Sequence, residues 1–200
     1  MQTDSDLGVL FLIYEREVST GLILVGSFVS VPPTTASKFA LGARVTDRTT
    51  GYIYINRGTV AVPVWESGQI STTIALSAAN IIAMYATPVA IVAAVPGKAI
   101  VIDSMSFDIT RTSTAFSGGG VVAVQYDSTA NGAGTATTAT IAATVVTGAA
   151  GRTITARIPV VQSDIATASI TGIGLFISNA TAAFAAGTGT ASVKVAYHLV

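Results

Sequence analysis

Apolar residues in this chain come in short runs, rich in Val, Ile and Thr, and cut at intervals by clusters of glycine. β-branched side chains are stiff at χ1 and suit a pleated surface. Glycine between apolar runs marks turns. No long stretch places apolar residues at helical spacing. The pattern predicts an all-β fold: an antiparallel β-sandwich or jelly-roll-like body, an N-terminal β-hairpin and arm region, and at most one short helix.

The runs are also unusually apolar taken together. Mean hydropathy is +0.66, and only 10% of the 200 residues are charged. A membrane span does not account for this. Leu7 to Ile13 is apolar, Tyr14, Glu15, Arg16 and Glu17 interrupt it, and Gly21 to Val31 is apolar again. Neither half approaches the roughly 20 residues a spanning helix needs. A secretory signal needs a positive leading region, and Asp4 and Asp6 stand there instead. The expectation is that the surplus apolar surface is buried against other protein chains.

Charge supports the same view. Ten Lys and Arg balance ten Asp and Glu, so the basic footprint of a nucleic-acid binder is missing. A chain with no net charge is poorly protected against self-association. That is a liability in a monomer and harmless in a subunit. With no cysteine, there is no disulfide frame and no thiolate metal site.

Composition divides the chain in two. Residues 1–70 hold all three glutamates (Glu15, Glu17, Glu66), the arginines Arg16, Arg44, Arg48 and Arg57, and the single tryptophan, Trp65. These residues form the predicted arm and hairpin region, suited to docking on neighbouring chains, with Gly68-Gln69 as the join. Residues 71–200 form the predicted sandwich body. Tyr52 to Asn56 reads as a strand covered on both sides, and Val60 to Trp65 as its return, interrupted by Pro63. In the body, Ser77 can cap a short helix that Pro88 stops. Strands are expected at Val89–Val95, Ala99–Thr110, Val121–Tyr126, Ile154–Val161, Thr171–Ser178 and Ser192–Leu199. Thr140 to Val146 fits either a strand or one helical turn. A slip of phase between Ile102 and Met105 predicts a bulge.

Chemistry-bearing constellations are sparse. His198 is the sole histidine, and a general base needs an oriented partner, so it reads better as a surface or interface residue. Asp103 and Asp108, five apart on one strand, point to opposite faces unless a bulge intervenes. Gly118-Gly119-Gly120 and Asn131-Gly132-Ala133-Gly134 lack the Lys-Ser/Thr and the helix that make a phosphate loop, and read as hairpin tips. Asn179-Ala180-Thr181 matches a glycosylation acceptor by chance. No catalytic residue, cofactor or metal is expected, and no enzymatic activity.

Two segments carry a family resemblance. The run Ile74-Ala75-Leu76-Ser77-Ala78-Ala79-Asn80-Ile81-Ile82-Ala83-Met84-Tyr85-Ala86-Thr87-Pro88-Val89, followed by Val92 to Ile100, resembles a segment of structural proteins of tailed bacteriophages. The unit Thr50 to Thr59, ending in Pro63-Val64-Trp65, is similar to β-hairpin modules of phage head-decoration and tail-fibre proteins. The resemblance implies a virion structural protein, a capsid decoration or cement protein on the outer capsid surface, made in the host cytoplasm. Its implied partners are the major capsid protein and itself, as a homo-oligomer expected to be a trimer, with no nucleic acid and no membrane. The alternatives are a tail or fibre component and a carbohydrate-binding β-domain.

Overall fold

In the computed structural model the described residues are 2–3, 12–16, 22–28, 38–158 and 165–200. Strands account for 51% of the described residues, in several sheets, with only two short helices. The fold is all-β and sandwich-like. The chain forms two compact units, residues 1–68 with 198–200, and residues 69–197. The predicted N-terminal docking stretch, Leu7–Val31, lies in large part outside the described residues, as does the end of the expected strand Ile154–Val161.

The first unit holds a six-stranded sheet in sequential order: β1 (Gln2–Thr3), β2 (Leu12–Arg16), β3 (Ile23–Phe28), β4 (Phe39–Asp47), β5 (Ile53–Asn56) and β6 (Trp65–Ser67). Neighbours are antiparallel except β3 and β4, which run parallel. The region is thus a mixed sheet, larger than a hairpin with an arm. Its buried face carries Ile23, Phe28, Phe39, Val45, Tyr54 and Trp65. Phe39 meets Trp65 edge-on at 5.1 Å, and Phe28 lies tilted on Tyr54 at 5.8 Å, geometries that ring quadrupoles favour.

β5 is covered on one face only. Tyr54 is buried, whereas Ile53 is exposed, so an unbroken apolar run does not mean two covered faces here. The return strand begins at Trp65, later than the sequence suggests, because the buried side chain of Asn56 organises residues 57–64 as a loop. Its Oδ1 accepts from the Gly58 and Val64 N–H groups at 3.0 Å each, and its Nδ2 donates to the Ala40 carbonyl at 3.0 Å. The loop is tight at Gly58, where a Cβ would stand 2.2 Å from the Val62 carbonyl oxygen. His198–Val200 belong to this unit, and the Leu199 N–H donates to Ser67 Oγ at 2.6 Å.

The second unit is built on two four-stranded sheets. One has the order β12 (Thr135–Ala136), β11 (Val122–Tyr126), β14 (Leu175–Asn179), β8 (Val89–Val92). The other has β13 (Gly151–Ile158), β9 (Ile100–Arg111), β16 (Gly189–Leu199), β7 (Ile70–Ser77). A small pair, β10 (Ser117–Gly118) with β15 (Phe184–Ala185), completes it. The pairings β10–β15, β11–β12, β11–β14, β13–β9, β14–β8 and β16–β7 are all antiparallel. Alternation on β9 and β16 buries Ile100, Ile102, Met105, Phe107 and Ile109 against Val193, Val195 and Tyr197. The Tyr126 hydroxyl on β11 donates to the Ile100 carbonyl on β9 at 2.5 Å, which ties one sheet to the other.

Two helices stand where one at most was expected. The first, α1 (Ala78–Ala83), has a capping box: Ser77 Oγ accepts from the Asn80 N–H, and Asn80 Oδ1 accepts from the Ser77 N–H, which satisfies otherwise orphaned donors. It ends at Met84, ahead of Pro88. The second, α2 (Ala143–Thr147), lies in the ambiguous run 140–146. Five residues cannot persist as a helix unaided. Its C-terminal end is held from outside by Arg111, a buried cation at the end of β9. Arg111 Nη1 donates to the Val145 carbonyl at 2.6 Å, Nε to the Ala149 carbonyl at 2.7 Å, and Nη2 to Thr153 Oγ1 at 2.7 Å. A positive charge at a helix C-terminus is also favoured by the peptide dipoles.

Two substitutions test these anchors. Asn56→Ala strips the acceptor from two N–H groups, and we expect it to destabilise the first unit by about 2 kcal/mol. Trp65, the only tryptophan, makes fluorescence-monitored urea unfolding the readout. Arg111→Met leaves three acceptors unpaired and is expected to cost the second unit about 3 kcal/mol, measured by circular dichroism against urea.

Candidate interaction surfaces

Four of the six large apolar side chains exposed among the described residues belong to the first unit. Leu41 is 70% exposed, Val62 65%, Ile53 51% and Val64 48%. Strand alternation places Ile53 and Ile55 on the side of β5 away from Tyr54. Register sets Arg44 and Glu66 on either side of Ile55. Val64 precedes the inward-turned Trp65, so it faces the same way as Ile55 and Glu66. Leu41 projects where the pairing of β3 with β4 breaks register, beside Gly42 at φ +79°. Arg57 and Glu66 form an exposed ion pair at 3.8 Å. Ile53, Ile55 and Val64 thus share a side with Arg44 and Glu66, apolar groups beside charged ones as in a protein–protein contact.

The turn after β4 is fixed by Asp47. Its Oδ1 accepts from the Thr49 N–H at 2.8 Å and its Oδ2 from Thr50 Oγ1 at 2.7 Å. Burial first, then the Asp47 charge, pushes the Tyr54 phenol up to about 12.

On the second unit, a shallow cleft of about 320 Å³ crosses the outer face of β7, β9 and β16. Ser71, Ser104, Ser106 and Lys194 line it, with Met105 and Ala196 as its apolar part. Gln69, also at the lining, donates to Asp103 Oδ2 at 3.3 Å. The cleft is open and polar, whereas pockets that enclose a small molecule are deep and largely apolar.

The residues singled out in the sequence do not converge. Burial along β9 inverts phase after Asp103: Ile100 and Ile102 are buried, then Met105, Phe107 and Ile109. Asp103 and Asp108 therefore share the outer side of the strand. Asp103 is engaged by Gln69, and Asp108 by a bidentate Arg152. The Arg152 hydrogen bonds hold the Asp108 carboxyl below its ordinary range. His198 lies half-buried near the end of β16. Among the described residues, no three of His, Asp and Glu come together as a metal site would require, and no helix is long and apolar enough to cross a membrane.

Asn179 is buried on β14, and its Nδ2 donates to the Ala182 carbonyl. Its amide is out of reach of a modifying enzyme in the folded chain. Gly118-Gly119-Gly120 is a packing motif rather than a hairpin tip. Gly119 has φ +77°, and a Cβ there would lie 2.1 Å from the Phe184 ring. Asn131 and Gly132, both at positive φ, turn the chain between β11 and β12, and the Gly132 N–H donates to Ser178 Oγ.

The four exposed apolar residues were hidden in the sequence by the uniformity of their surroundings. An apolar strand with both faces covered by its own chain and one with a face left for a partner have the same composition. No protein-family model, curated protein or solved structure matches this chain.

The Tyr54 environment sets an alkaline limit. Above pH ~10 the unfolded tyrosine releases its proton while the folded one keeps it, so the unfolded state binds fewer protons and stability falls as pH rises. The loss should run from about pH 10 to about pH 12, where the folded phenol itself ionises. Trp65 fluorescence across a urea series at each pH measures it, and Tyr54→Phe should flatten the decline.

Proposed function

We propose that this chain is a virion structural protein of a tailed bacteriophage, a capsid decoration protein that binds major capsid subunits as a homo-oligomer. The observation that carries the reading is the exposure of Leu41 and Ile53 on the sheet of the first unit, and of Val62 and Val64 on the loop after β5, in a chain with no net charge. Exposed apolar groups rimmed by polar ones mark contact sites for other proteins. Repetition over a shell makes modest individual contacts sufficient, since multivalency multiplies weak interfaces. The similarity of residues 50–65 and 74–100 to phage structural segments supplies the setting.

The test is co-sedimentation of the purified chain with expanded heads of the same phage that lack it. Saturable binding at a fixed number of copies per capsid subunit is expected. Ile53→Asp with Val62→Asp should weaken it at least tenfold, because each side chain loses about 1.5–3 kcal/mol of burial. Folding should hardly change, since both positions are exposed. A chain that binds neither heads nor itself overturns the reading. Binding to tails or fibres, seen by electron microscopy of labelled particles, moves it to another part of the virion.

A further inference from the structure

Among the described residues, the edge strands of the sheets are defended, with one exception. An unpaired edge offers N–H and C=O groups to any other strand, and folded chains blunt such edges with shortness, charge, proline or bulges. β12 has two residues and β6 has three, with Glu66 at its centre. β8 has four residues, follows Pro88 and shifts register against β14. β13 carries Arg152 and a register shift between Thr155 and Ile158. β7 has none of these devices. Its eight residues, Ile-Ser-Thr-Thr-Ile-Ala-Leu-Ser, are uncharged and free of proline and glycine, and they pair with β16 without a break. Among the described residues, no strand lies on its other side.

The helix cap fixes which groups face outward. The Ser77 N–H is taken by Asn80 Oδ1, so Ser77 occupies a non-hydrogen-bonded position opposite Thr190. Antiparallel ladders alternate, so the N–H and C=O of Ser71, Thr73 and Ala75 also turn away from β16. Their side chains lie on the outer, exposed face, while Ile70, Thr72, Ile74 and Leu76 are less exposed and turn the other way.

We infer that β7 is a strand-addition edge whose occupant is β7 of a second copy of this chain, paired antiparallel about a twofold axis at Thr73. The strand is its own complement in that register. Thr73 faces Thr73 of the second copy, and Ser71 faces Ala75. These are the hydrogen-bonded pairs, exchanging about six backbone hydrogen bonds. Between them Thr72 faces Ile74 and Ile70 faces Leu76, so the more apolar side of one strand continues into that of the other. A slip by one residue would set that side against the outer one. A slip by two leaves one of the three outward residues without its counterpart among Ser71, Thr73 and Ala75. No like charges meet, because the strand has none. The contact is isologous and closes at two copies, so a trimer would require a second interface. The inference gives the self-association in the proposed function a location, and it stands or falls separately from capsid binding.

The experiment uses the full-length chain in sedimentation equilibrium. The wild type should form a dimer. Thr73→Pro removes an N–H that faces the free edge and leaves the β16 ladder whole, a position where proline is tolerated. It should weaken the dimer at least a hundredfold with an unchanged circular dichroism spectrum. Thr73→Cys introduces the only thiol in the chain. It should crosslink to its counterpart by a disulfide or a short bis-maleimide, whereas Ser113→Cys, exposed elsewhere, should not. A wild type that stays monomeric, or a Thr73→Cys chain that does not crosslink while dimers persist, overturns the inference. Head binding that survives with a dimer indifferent to Thr73→Pro refutes strand addition alone. A Thr73-dependent dimer that ignores heads refutes the capsid reading alone.

Discussion

Backbone groups left outside the ladders are the constraint under which this fold is built. Short strands have many ends, and every buried N–H or C=O at such an end needs a partner. The chain has few charges, so neutral side chains do most of this work. Asn56 closes the 57–64 loop. Gln125 Nε2 donates to the Thr129 carbonyl. Thr138 Oγ1 accepts from the Val124 N–H, and Thr137 Oγ1 donates to the Val124 carbonyl. Ser178 Oγ reaches the Met84 carbonyl. Arg111 is the one buried cation described, and it too serves backbone carbonyls. Little charge is then needed inside the fold, and apolar surface is left over.

Much of the architecture was legible in the residues. Apolar patterning located β9, β11 and β16, the phase slip near Asp103 marked the change of buried face, and Ser77 marked a helix start. What escaped was set by distant partners. Residues 140–146 do not say whether they are helix or strand, because Arg111 decides it from 34 positions away. The parallel pairing of β3 and β4 depends on chain routing, which local pattern does not encode. The loop at 57–64 needed Asn56 to be recognised as a buried hub, when polar residues next to glycine ordinarily read as exposed turns.

The candidate surfaces were less legible than the fold, for a physical reason. Catalytic and metal sites draw on a small set of residue types in fixed geometry, so sequence can point to them. A contact surface draws on the same Val, Ile and Leu that fill a core. Ile53 and Tyr54 are adjacent and similarly apolar, yet one is open and the other is buried. Only the sheet that puts them on opposite faces separates them.

The pairing of β7 with β16 has a consequence for how the chain reaches this state. The two strands are on the order of a hundred residues apart in sequence, and such distant contacts form slowly. While the polypeptide is being made, β7 emerges well before its ladder partner and has both edges bare. Its lack of charge and proline then offers no protection against pairing with other nascent chains. Crowded synthesis of many copies therefore favours pairing of β7 with other copies until β16 has been made.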